Sequence, residues 1–166
     1  MKRVKLVCFS GTGGTKRFTS SLETSLIKYG CDVKVLYLET KLIEIAKREG
    51  TFNDNSYDFI IILFPVHAFD APEPVYKWIK ALPKCQMVSV ALISVSAAGE
   101  FWINQACRIG LIRGLSKKGY NVFYERMLYG FCQSGRRIYL WGSLHWQKWN
   151  FWAGYIPVPS SGSHSQ

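Results

Sequence analysis

Ser10-Gly11-Thr12-Gly13-Gly14-Thr15 is the stretch that decides the fold. It follows Val4–Phe9, a short apolar run rich in β formers, and precedes Phe18, Leu22, Leu26 and Tyr29, which recur at helical spacing and stop at Gly30. The order is therefore strand, glycine-rich turn, helix. Glycines let the backbone curl so that successive N–H groups point inward. The helix that follows adds unpaired N–H groups and the positive end of its dipole. Ser10, Thr12 and Thr15 add hydroxyls, while Lys16 and Arg17 stand just beyond and contribute long-range attraction. Such a nest suits a phosphate dianion without a cationic side chain.

The spacing narrows the ligand. A P-loop reads GxxxxGK[ST], and counting from Gly11 puts Lys16 where the second glycine belongs. The dinucleotide fingerprint GxGxxG fails at the same residue. What remains is a hydroxyl-rich loop for a terminal phosphomonoester. The plainer alternative is a tight turn with incidental hydroxyls. Against it stands the loop's place after a strand, where open α/β sheets bind ligands.

Outward from this loop the alternation continues. Val33–Leu38 reads as a second strand, Lys41–Glu49 as a short helix and Phe59–Phe64 as a strand buried on both faces. Pro65–Pro74 is a loop, and Val75, Trp78, Ile79 and Leu82 mark a helix closed by Pro83. Val88–Val95 is a fourth strand. Ile103, Cys107, Leu111 and Leu115 share one side of a further helix, and Asn121–Met127 is a fifth strand. Strands without clean polar alternation, each followed by a helix, imply a parallel sheet covered on both faces.

The chain changes character after Met127. All 11 acidic residues lie at or before Glu125, and four of the six tryptophans (Trp141, Trp146, Trp149 and Trp152) follow Leu140. Residues 1–127 are expected to form one domain, and 128–166 an atypical Trp-rich tail whose Pro/Ser-rich end is disordered.

Composition excludes several classes. Hydrophobic residues make up 48% of the 166, enough for a core. The net charge of +10 fits solubility, and no basic cluster interleaves with aromatics as a nucleic-acid face would. Cys8, Cys31, Cys85, Cys107 and Cys132 are odd in number and form no CxxC pair, which argues against a disulfide framework, a zinc site or an iron–sulfur cluster. Neither a signal peptide nor a membrane span is recognisable, so a cytoplasmic protein is expected. No Ser/His/Asp or Cys/His catalytic set stands out.

The loop Ser10–Thr15 matches every fixed position of [ST]-x-T-G-x-T, and at this point the sequence resembles the flavodoxin family. It is most similar to the flavodoxin-like domain found alone or fused to a ferredoxin module, which reads F-S-G-T-G-[GN]-[TS], then P-V-Y-A-F-D-A-P-E-P, then I-S-V-S-G-G-G-E-x-W-P-N. The corresponding segments here are Phe9–Thr15, Pro65–Pro74 and Ile93–Asn104. The resemblance spans Val4–Met127. Ala97-Ala98 replaces the usual Gly-Gly, His67 stands where Tyr is usual, Ile103 replaces Pro, and the cysteine-rich ferredoxin module is absent.

The resemblance implies a flavodoxin-like α/β three-layer sandwich with a five-stranded parallel sheet in the order 2-1-3-4-5, its last helix missing or altered. It implies FMN as cofactor, with phosphate on Ser10, Gly11, Thr12, Gly13, Gly14 and Thr15. The ring would lie between Pro65, Val66, His67, Ala68 and Phe69 on one side and Ser94, Ser96, Ala97, Ala98 and Gly99 on the other. Phe69, Phe101 or Trp102 would stack on it. Asp70 is expected to stabilise the first ring loop and Glu73 to charge the start of the next helix. The expected function is electron transfer to or from a redox partner such as a ferredoxin or a reductase. The alternatives are a small FMN-dependent reductase acting on a quinone or NAD(P)H, and an FMN-free module.

Overall fold

A computed structural model describes residues 1–38, 57–85, 88–96 and 102–129, with the backbone alone at 102–106 and 129. The expected helix at Lys41–Glu49 and the tail from 130 lie outside the described residues. The elements are β1 (Arg3–Cys8), α1 (Gly14–Lys28), β2 (Asp32–Tyr37), β3 (Phe59–Pro65), α2 (Glu73–Ala81), β4 (Ser89–Ser96), α3 (Trp102–Ser116) and β5 (Asn121–Tyr129). All strand pairings are parallel and the order is β2-β1-β3-β4-β5. This is the flavodoxin-like α/β fold. The fifth strand runs two residues past the expected end, to Tyr129.

Side chains alternate across a strand, so each strand feeds two cores. Val4, Leu6, Ile61, Leu63 and Ala91 pack with Leu26 and Cys31 on the α1 side. Val7, Ile60, Ile62, Phe64, Val90 and Leu92 pack with Val75, Trp78, Ile79, Leu111 and Leu115 on the side of α2 and α3. With both faces covered, β3 needs no polar alternation, and Ile60–Phe64 are all buried. Burying any one of these branched or aromatic side chains contributes roughly 1.5–3 kcal/mol.

α2 and α3 lie close. A Cβ on Gly114 would stand 3.3 Å from Ile79 Cγ2, and one on Gly110 would stand 2.9 Å from the Tyr76 hydroxyl. The turn after α3 is tighter still. Gly119 has φ +88°, and a Cβ there would fall 2.0 Å from the Cys85 carbonyl oxygen, so only glycine fits. Between β4 and β5 the register slips: Val90 pairs with Val122 but Ala91 pairs with Tyr124. Phe123 is the extra residue. Its ring is half out of the protein and 6.1 Å from that of Phe59. No helix among the described residues is long and apolar enough to cross a membrane.

Candidate functional site

The strand order reverses at β1, whose neighbours are β2 and β3. The carboxyl ends of β1 and β3 therefore diverge into loops that bound a crevice. The first loop is Phe9–Gly13. Its backbone is tied to β3 by the Phe9 amide, which donates to the Leu63 carbonyl at 3.0 Å. Gly13 takes φ +88° at the head of α1, a left-handed turn that costs an L side chain about 1–2 kcal/mol. That turn brings the amides of Gly13 and Lys16 to one spot. The Ser10 hydroxyl oxygen sits there, accepting from the Gly13 amide at 3.1 Å and from the Lys16 amide at 3.3 Å. The amides of Gly14 and Thr15 are among those a helix cannot satisfy internally.

Thr15 is buried, Thr12 and Gly11 are exposed, and no carboxylate belongs to the loop. The Lys16 ammonium lies 5.2 Å from the centroid of the Tyr37 ring, so it packs against the end of β2. The space above the glycines is open: nothing lies within 4 Å of a Cβ built on Gly13 or Gly14. The donor set, amides and small hydroxyls around an open seat, fits a phosphomonoester.

The second loop leaves β3 at Pro65. The Val66 amide donates to the Val95 carbonyl at 2.9 Å, tying this loop to β4. His67 and Asp70 then exchange two backbone hydrogen bonds, 2.8 and 2.9 Å, across a two-residue turn. The turn residues, Ala68 and Phe69, have φ +47° and +67°. Both are strained there, and the turn is held from below. One oxygen of Asp70, Oδ1, accepts from the Ala71 amide and from the Tyr76 hydroxyl, each at 2.7 Å. Burial, then the hydrogen bond and charge of Asp70, push the Tyr76 phenol well above its ordinary range. Glu73 stands in the first turn of α2 and pairs with Lys77 at 2.9 Å. Asp70 and Glu73 thus do structural work, as expected from sequence.

The two loops meet through His67. Its ring lies edge-on to Phe9 with centroids 6.2 Å apart, and its Cε1 is 3.9 Å from where a Gly11 Cβ would sit. Phe69 at the tip of the turn is 57% exposed.

The third group is split. Ala97, Ala98, Gly99 and Phe101 lie outside the described residues, as does the side chain of Trp102. Ser94 and Ser96 are buried at the end of β4. The Ser94 hydroxyl accepts from Arg108 Nη1 at 2.9 Å and donates to the Arg126 carbonyl at 3.4 Å. It is engaged inside the domain. Arg108 itself was not anticipated. Its guanidinium is buried on α3, where Nε also meets Glu125 Oε2 at 3.3 Å. The available signal was spacing: Arg108 shares the stripe of Leu111 and Leu115, a place where sequence patterning expects an apolar residue.

The thiols of Cys8, Cys31 and Cys107 are buried and that of Cys85 half-buried, and none of these four forms a disulfide. Burial raises Cys8 and Cys107 above the ordinary thiol range; for Cys107, Arg108 lowers it in part while Asp70 and Glu125 raise it.

No known family profile matches this sequence. No curated protein matches it either. The fold does have counterparts. The chain superimposes on the two-electron reduced flavodoxin of Megasphaera elsdenii with a TM-score of 0.53 at 17% identity, covering 75% of this chain and 84% of that one. It superimposes on the flavodoxin of Streptococcus pneumoniae with a TM-score of 0.58 at 15% identity, covering 75% and 83%. An azoreductase from Bacillus anthracis gives a TM-score of 0.56 at 12% identity, covering 78% and 87%. These likenesses establish a flavodoxin-like domain.

Proposed function

We propose that this chain binds FMN and passes electrons to or from a redox protein such as a ferredoxin or a reductase. One observation carries the reading: two amides, that of Gly13 and that of Lys16 in the first turn of α1, already converge on a single oxygen, that of Ser10, beside the crevice between β1 and β3. A phosphate oxygen asks for the same donors, and the Thr12 and Thr15 hydroxyls add to them. Phosphate would be held by Ser10–Thr15, and the ring by Pro65–Phe69 together with the chain from Ser94 to Gly99. FMN, when bound, supplies the redox chemistry. The residues of this chain bind it, orient it and set its surroundings. His67 links the phosphate loop to the ring loop, and the strained Ala68–Phe69 turn presents an aromatic group at the crevice. No side chain is assigned as nucleophile or base. The fold's likeness to flavodoxins supports the reading, and described cysteines held as thiols suit the reducing conditions of the cytoplasm.

Titration of the purified chain with FMN and riboflavin tests it. FMN should bind at least tenfold more tightly. Thr12→Val combined with Thr15→Val should remove most of that preference; equal affinity for both ligands in the unaltered protein would refute the assignment. A second reading, a small FMN-dependent reductase, draws on the likeness to the azoreductase. Steady-state NAD(P)H oxidation with a quinone would favour it over electron carriage.

A further inference from the structure

Parallel strands begin at one end of a sheet, and a helix that links two of them must run back to that end. The carboxyl ends of α1, α2 and α3 therefore lie level with the starts of the strands, at the end of the domain away from the crevice. Backbone hydrogen bonds join the segments there: the Asp32 amide donates to the Lys2 carbonyl, the Asp58 amide to the Arg3 carbonyl and the Cys85 amide to the Lys118 carbonyl. That end is strongly basic. Lys28, Lys80 and Arg113 stand in the last turns of α1, α2 and α3. Lys84 and Lys117 follow α2 and α3, and Lys2 and Arg3 stand at the start of β1. All of these side chains are exposed.

The helix dipole accounts for one cation at each helix end, Lys28, Lys80 and Arg113. It does not account for Lys84, Lys117, Lys2 or Arg3. Among the described residues, none of Lys28, Lys80, Lys84, Arg113 and Lys117 forms an ion pair. The described carboxylates at that level are Asp32 and Asp58, with Glu23 further back along α1. Asp58 Oδ2 accepts from the Arg3 amide at 2.8 Å. Lys118 has a structural use, its ammonium donating to the Leu82 carbonyl. The opposite end is mixed in sign, with Lys77 paired to Glu73 and Arg108 to Glu125.

α1 packs on one face of the sheet and α2 and α3 on the other, so these cations spread across the whole thickness of the domain. Two apolar side chains share their end: Ile27 is 55% and Tyr29 52% exposed, on either side of Lys28 in sequence. A single-stranded nucleic acid calls for cations and stacking rings along one track. An exposed aliphatic side chain among cations suits instead the boundary between lipid headgroups and acyl chains. We propose that this end of the domain docks on an anionic phospholipid surface, with Lys28, Lys80, Lys84, Arg113 and Lys117 over the headgroups and Ile27 and Tyr29 entering the interface. β1 and β3, six and seven residues long, would hold the crevice about 20 Å from that surface, open to the solvent. Docking of this kind does not depend on the FMN reading above.

The experiment floats the full chain with vesicles of phosphatidylcholine alone and with vesicles in which about a quarter of the lipid is phosphatidylglycerol. The chain should associate with the anionic vesicles only, and the association should weaken about tenfold or more between roughly 0.05 and 0.5 M salt, as the surface potential is screened. Lys84→Glu combined with Lys117→Glu should weaken it by about tenfold or more, since each basic side chain near such a surface is worth about fivefold. Lys77→Glu combined with Arg126→Glu makes the same change in net charge towards the opposite end and should stay within about twofold of the parent. Ile27→Ser should weaken association by about threefold. Equal losses in the two double variants, or no loss in either, overturn the proposal, and so does equal association with neutral vesicles. Absence of association with anionic vesicles also overturns it; if a labelled single-stranded oligonucleotide binds in the same buffer, the face belongs to nucleic acid. If the first double variant fails to fold, Lys80→Gln decides: association weakened about fivefold supports the proposal and unchanged association overturns it.

Discussion

The two described loops that bound the crevice reach left-handed backbone by opposite means. After β1 the turn into α1 uses Gly13, at φ +88°, with open space where a side chain would be. After β3 the turn uses Ala68 and Phe69, at +47° and +67°, with no glycine at all. The first turn is conformationally easy and gathers the amides of Gly13 and Lys16 on the Ser10 hydroxyl. The second is strained, and persists because the His67–Asp70 hydrogen bonds and the Asp70 carboxylate determine it from several directions. Glycine freedom thus shapes the first loop, and side-chain and backbone hydrogen bonds hold the second in a conformation its residues do not favour.

Substituting Gly13 by Ala should break this comparison most severely. The backbone penalty is about 1–2 kcal/mol with no clash to add, and the amides would lose their common target. FMN affinity should fall tenfold or more by titration, with a clear drop in denaturant midpoint. A variant that kept parental FMN affinity would show the turn to be incidental.

Asp70→Ala attacks the other loop. It removes the acceptor for the Ala71 amide and the Tyr76 hydroxyl, both near the surface, and should destabilise by about 1–2 kcal/mol in denaturant unfolding. Asp70→Asn keeps an oxygen and should recover more than half of that loss.

Phe69→Gly tests whether the second turn is strained. Relief of the left-handed conformation, offset by the greater freedom of glycine in the unfolded chain, should leave a gain of about 0.5 kcal/mol. A loss of stability would mean that the exposed ring packs on something that outweighs the strain. FMN affinity should decline in the same variant if the ring touches the flavin.

The smallest effect concerns pH. Tyr76 is held neutral above its usual range by burial and by Asp70, so its folded form keeps its proton where the unfolded chain gives it up. Its contribution is complete below the unfolded value near 10 and is lost as pH rises beyond it. Cys8 and Cys107, raised by burial, behave likewise from the usual thiol value near 9 upward. Melting temperature should therefore decline above about pH 9, and Tyr76→Phe should decline less steeply than the parent beyond pH 10.

The contrast also explains what sequence reading could see. Gly13 announces a left-handed turn because glycine is the residue that tolerates one, and apolar runs such as Ile60–Phe64 announce buried strands. The glycine turn into α1 and all five strands were legible for those reasons. Ala68 and Phe69 carry no such mark: their conformation is imposed by Asp70 and Tyr76, which act from outside the turn. α1 begins at Gly14, four residues before its first apolar stripe member, because the residue its first turn buries is the polar Thr15. Ser94 looked like a loop hydroxyl, yet Arg108, fourteen residues on, draws it inward. Pairings of that span have no signature in local spacing.

The register slip beside Phe123 bears on how copies of this domain meet. Among the described residues β5 has β4 on one flank only, and a straight border strand offers its unpaired amides and carbonyls to any neighbouring chain. An extra residue in that border interrupts the regular ladder and sharpens its twist. A second molecule seeking to add a strand there would meet mismatched spacing. Such an irregularity disfavours edge-to-edge strand addition, and deleting Phe123 should make the protein more prone to form fibres.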